Sequence, residues 1–207
     1  MVKKISRTKC IELYSQLACI DESHISQADS FSYPQTYASY ALTYQAASFT
    51  EHAGVMAQEL TQMIREFGYE HCLFFPSEDK AWIQDPGERQ ELMDAVDFLF
   101  ENNVDAGFDG GLRVSVQILD RFIKHIMMLS HYSDNFPFIY FADDSKHFLS
   151  SICSHGNIHV DVLNPDCVHL SIDAVEKSKL ILIENDLCHS IYKDVHSLKN
   201  ISSYSIL

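Results

Sequence analysis

This chain of 207 residues has little glycine (7) and little proline (5), which argues against a β-sandwich built of many tight turns and against a flexible multidomain linker protein. No apolar run approaches the ~18 residues that a membrane-spanning helix needs. The basic start MVKK leads into no clean apolar segment, because Glu12, Ser15 and Gln16 interrupt it, so neither a secretory signal nor a membrane anchor is expected. The six cysteines (Cys10, Cys19, Cys72, Cys153, Cys167 and Cys188) contain no CxxC pair. They read as reduced, buried thiols of a cytoplasmic protein. Missing too are the GxSxG, GxxxxGK and GxGxxG patterns that announce a nucleophile elbow, a phosphate loop or a dinucleotide fold. Neither a cofactor nor a metal site is expected, and the oligomeric state is not legible.

Positive charge is scarce as well: 15 Lys and Arg stand against 29 Asp and Glu, a net charge of -14. The deficit is concentrated between residues 78 and 109. Ten acidic residues there (Glu78, Asp79, Asp85, Glu88, Glu91, Asp94, Asp97, Glu101, Asp105 and Asp109) face only Lys80 and Arg89. Such a field repels nucleic acid and anionic lipid and attracts cationic proteins. Asp105-Ala-Gly-Phe-Asp109 lacks the alternating oxygen ligands of a calcium loop.

With 46% hydrophobic residues the chain has ample material for a core. Its first two thirds read as helical. Residues 6–20 space Cys10, Leu13, Tyr14, Leu17 and Ile20 on one face, and Pro34 opens a second stretch with Tyr33, Tyr37, Tyr40 and Tyr44 as a stripe. Helices follow over 50–67, stopped by Gly68, over 88–101, and over 112–129. In the fourth, Leu92, Met93, Val96, Leu99 and Phe100 form the apolar face, while Phe98 falls among Glu91, Asp94, Asp97 and Glu101.

Beyond Pro137 the pattern shortens to β-prone runs at 138–142, 158–163, 168–172 and 180–184, with Asn164-Pro165-Asp166 as a hairpin turn. Residues 147–153 and 187–195 look helical. The expectation is therefore an α+β protein: a mainly helical region over 1–134, carrying the acidic helix, against a small mixed or antiparallel sheet with helices over 135–207. The two regions are expected to share one core.

Two functions from different classes fit. The first is an acidic, soluble protein-binding module of the immunity or antitoxin kind, an inhibitor that neutralises a basic partner such as a toxin nuclease. Its docking surface is Glu91, Asp94, Asp97, Phe98, Glu101, Asp105 and Asp109, with no nucleic-acid or membrane partner. The likeness to immunity proteins is one of size and charge alone.

The second is a small metal-assisted or acid-base hydrolase using Asp143, Asp144, His159 and Asp161. Asp143 and Asp144 end a predicted strand, where a carboxylate also serves simply as a cap. Histidine is plentiful, 11 in all, densest at His155-Gly-Asn-Ile-His159-Val-Asp161. Alternation on a strand puts His159 and Asp161 on one face. Gly156 disfavours a helical pair of zinc histidines, and the zinc deaminase signature does not fit: Asp161 replaces its glutamate and a second cysteine is missing. The binding module is preferred, because it accounts for the charge distribution.

Overall fold

The computed structural model describes residues 1–13, 34–77, 79–183 and 188. Its centre is one antiparallel sheet in which eight strands of the described residues run in the order β1-β4-β3-β5-β6-β7-β2-β8. The strands are β1 (Val2–Ile5), β2 (Ala38–Thr43), β3 (His71–Pro76), β4 (Gly111–Ser115), β5 (Ile139–Asp143), β6 (Phe148–Ile152), β7 (Ile158–Val162) and β8 (Ile181–Ile183). The helices are α1 (Arg7–Leu13), α2 (Phe49–Glu66), α3 (Gln90–Glu101), α4 (Leu119–Tyr132) and α5 (Val168–Lys177).

This overturns the expected architecture. The sheet is large rather than small, half of its strands come from the first 134 residues, and the helices are spread along the chain. Of the tyrosine stripe, Tyr40 lies in β2, a strand in which Tyr40 and Leu42 point into the core and alternate with Ser39 and Ala41; Tyr37 and Tyr44 flank that strand, and Tyr33 lies outside the described residues. Pairing with β7 on one side and β8 on the other decides it, because β propensity is realised only through neighbouring strands. Gly111–Ser115 is likewise a strand, its Leu112-Arg-Val-Ser alternation hidden in sequence by the apolar helix that follows.

Phe148–Ile152 is a strand where a helix was expected, held between β5 and β7. Val168–Lys177 is a helix where a strand was expected, its Ser171, Ala174 and Val175 buried at helical spacing. Asn164-Pro165-Asp166 is accordingly a helix entrance, not a hairpin: the Asn164 side chain accepts from the Asp166 amide in a 3-10 turn that leads into α5. Helices α2 and α3 stand where periodicity puts them. The Ser48 hydroxyl accepts from the Glu51 amide at the start of α2, while the Glu51 carboxylate accepts from the Ala47 amide. Gly68, at φ 78°, follows its end. The expected helix at 187–195 lies outside the described residues, apart from Cys188.

Alternation along each strand separates two faces. One carries Leu42, Phe74, Leu112, Ile139, Phe141 and Val162 into the main core, under α2, α4 and α5, with α3 packed outside α4. The other carries Leu73, Phe75, Ala142 and Leu149, where Cys10 of α1 joins them. A Cβ on Gly111 would lie 2.3 Å from the Cys10 sulfur, so α1 reaches the sheet only because that residue has none. Trp82, fully buried, donates to the Gly110 carbonyl at 2.7 Å and packs on Phe122 and Phe136, anchoring the chain ahead of α3.

Candidate functional site

The acidic helix comes first. Leu92, Ala95, Val96, Phe98 and Leu99 of α3 are buried, whereas Asp94, Asp97, Phe100 and Glu101 are exposed. Phe98 is therefore not the apolar anchor that the helical wheel suggested. It lies three residues beyond Ala95 and six beyond Leu92, at the margin of the buried arc. Two side chains of α4 widen that arc by covering its ring: His125 stacks at 4.5 Å and the Arg121 guanidinium sits 5.1 Å from the centroid. Burial, with Lys124 and Arg121 nearby, pulls the His125 pKa down to about 4. Phe100, assigned to the apolar face by periodicity, is 48% exposed and lies beside Asp97 at the edge of the acidic face.

Arg89, the cation nearest the start of α3, is turned to the Tyr132 ring at 3.9 Å. Among the described residues none of Glu91, Asp94, Asp97 or Glu101 forms an ion pair. Asp94 accepts from the Gln90 side chain at 2.7 Å. Asp105 pairs with Lys4 and is thereby tied to the fold. Asp109 is half-buried in the loop before β4.

Asp143, Asp144, His159 and Asp161 do not meet in one cleft. Asp143 points to the helix-covered face, where its carboxylate accepts from the amides of Ser145, His147 and Phe148 at 2.8–2.9 Å and so shapes the β5–β6 turn. Its capping role thus serves a turn, not a helix. Asp144 is drawn toward β4 by Arg113. His159 and Asp161 share the opposite face of β7, where Ser39 donates to Asp161 at 2.6 Å. On the helix side Tyr69, Asp143, Ser150 and Ser171 edge a cavity of about 40 Å³, room for no more than a few waters.

A site that sequence reading passed over lies on the His159 face. The β6–β7 connection turns through Gly156 at φ 76°; the Gly156 amide donates to the Cys153 carbonyl at 2.9 Å, and the Cys153 amide to the Asn157 carbonyl at 3.1 Å. This hairpin end brings Cys153 and His159 to Cys188, and one ligand atom from each lies within 4.8 Å of the others. The two sulfurs are 3.4 Å apart, and the fully buried Asn157 donates its side-chain amide to the Cys188 sulfur at 3.2 Å. The expectation of isolated buried thiols holds for Cys10, Cys72 and Cys167, not for this half-buried pair; Cys19 lies outside the described residues.

Electrostatically the two sulfurs differ. A hydrogen bond from Cys153 pulls the Cys188 thiol down to about 4 against the cost of burial, with bonds from His159 and Asn157 adding to the effect. The same bond, together with burial, pushes Cys153 upward. A sulfur so charged beside an imidazole can attack an electrophile, couple oxidatively to its neighbour, or bind a metal. Grooves of about 320 and 360 Å³ reach it from either side, and His159 and Asp161 line both.

No family model, curated protein or solved structure matches this chain. Function therefore has to be argued from these surfaces. The one sequence signal for the thiol cluster was the Cys153-Ser-His-Gly-Asn-Ile-His159 stretch, which a turn through Gly156 folds back on itself. Nothing local marks Cys188, which stands 35 residues from Cys153 and reaches it only through the tertiary fold. Among the described residues no helix is long and apolar enough to cross a membrane.

Proposed function

We propose that this protein is a binding module that docks a basic protein on the outer face of α3, in the manner of an immunity-type inhibitor holding a cationic toxin. One observation carries the reading: Asp94, Asp97 and Glu101 are exposed and, among the described residues, outside any ion pair, on a helix whose opposite side is fully used in packing. Their mutual repulsion at three- and four-residue spacing costs about 0.2–0.5 kcal/mol per pair. A complementary cationic surface removes that cost and speeds encounter. Phe100, exposed at the edge of the charged ridge beside Asp97, supplies apolar contact.

The test uses the wild-type protein, Phe100→Ala, and a variant with Asp94, Asp97 and Glu101 all changed to Lys. Each is immobilised and exposed to host lysate at low and high salt, with circular dichroism confirming folding. The expected result is a basic protein retained by the wild type, released by salt, and lost from both variants. Identical captures by all three proteins would refute the reading.

A further inference from the structure

We propose that Cys153, His159 and Cys188 form a binding site for a thiophilic divalent cation, zinc in the first instance, with a fourth coordination position open to the grooves. The donor set is two sulfurs and one imidazole nitrogen, which suits zinc and disfavours the oxygen-seeking magnesium and calcium. Zinc bonds of about 2.3 Å to sulfur and about 2.0–2.1 Å to nitrogen, at tetrahedral angles, put ligand atoms about 3.6–3.8 Å apart. The sulfurs stand 3.4 Å apart and all three donor atoms fall within 4.8 Å of one another, so adjustments on the order of 1 Å complete the geometry.

The surroundings are those that metal thiolates require. Sulfur bound to a metal carries negative charge and is oriented by N–H donors around it. Asn157, with no exposed surface, turns its side-chain amide to Cys188. Backbone amides of Asn157 and His155 act on Cys153. The hairpin that supplies them is itself fixed: a Cβ at Gly156 would lie 2.5 Å from the Phe49 ring, and the Gly156 carbonyl lies 3.0 Å from Nε2 of buried His52. Three protein ligands with a solvent-facing fourth position is the arrangement of a zinc ion able to bind a water or a small ligand. Asp161, two residues beyond His159 on the same face, lines both grooves from which that ligand would come.

Cobalt(II) titration of the reduced, full-length protein tests the site, because cobalt reports both thiolate ligation and tetrahedral geometry by absorption. The expected result is one cobalt per chain, with a thiolate-to-metal charge-transfer band and strong visible d–d bands, both removed by one equivalent of zinc. Cys153→Ser and Cys188→Ser should each weaken the charge-transfer band, His159→Ala should lower affinity about 100-fold or more, and Cys167→Ser, a thiol outside the cluster, should change nothing. Wild-type protein that gives only weak octahedral bands overturns the proposal whatever the variants do. So does a charge-transfer band of undiminished intensity in both cysteine variants, and so does an intact mass showing a Cys153–Cys188 disulfide that resists reduction.

Discussion

Replacing Gly156 with alanine should separate backbone strain from steric exclusion, because the chain contains its own controls. Gly68, Gly87 and Gly156 all have positive φ, at 78°, 59° and 76°. A Cβ on Gly68 or Gly87 meets nothing within 4 Å, whereas on Gly156 it would lie 2.5 Å from Cε2 of Phe49 and 3.1 Å from the His52 ring. Left-handed backbone costs a non-glycine residue about 1–2 kcal/mol, and this is all that Gly68→Ala and Gly87→Ala should lose. At Gly156 the Phe49 ring cannot step aside: it is fully buried, stacked on His131 at 3.8 Å and edged by Tyr132 at 5.4 Å.

Forcing a methyl into such packing adds about 1–3 kcal/mol, for a total of about 2–5 kcal/mol. At about 2–4 °C per kcal/mol for a domain of this size, Gly156→Ala should melt several degrees below either control. Urea unfolding followed by circular dichroism reads all three, and an unchanged m-value shows that only stability has moved. Equal losses at the three glycines would refute the close contact between the β6–β7 turn and α2.

Two further outcomes follow from α3 and its support. Phe98→Ala should cost about 3–5 kcal/mol, while Phe100→Ala stays within about 0.5 kcal/mol of wild type, as denaturant titration would read; the reverse order would restore Phe98 as the exposed residue. The His125 pKa is held near 4, below its ordinary 6.5, so the unfolded chain binds the extra proton first. Its contribution to stability is whole above about pH 6.5 and is lost as pH falls toward 4. The melting-temperature advantage of wild type over His125→Gln should therefore shrink across that window, and a constant difference would show that His125 is not desolvated.

Periodicity made α2 and α3 legible, since each carries its own apolar stripe and Ser48 and Gly68 mark the ends of α2 within a few residues of the helix itself. The acidic ridge was equally legible, because charge is a property of composition. The strands of the N-terminal half were not. Ala38–Thr43 and Leu112–Ser115 satisfy a helical wheel as well as an alternating one, and the choice between them rests on pairing partners about 120 residues away in β7 and about 40 away in β3. Val168–Lys177 failed in the opposite sense, its β-branched residues outweighed by the Asn164-Pro165 helix start.

Which aromatic of α3 is buried depended on Arg121 and His125 of another helix. The thiol cluster depended on tertiary structure most of all. Sequence by itself determined where charge lies and which segments are able to bury a stripe. The tertiary structure alone decided which strands pair and that Cys188 meets Cys153 and His159, because such contacts are set by chain closure and packing over distances that no local pattern spans.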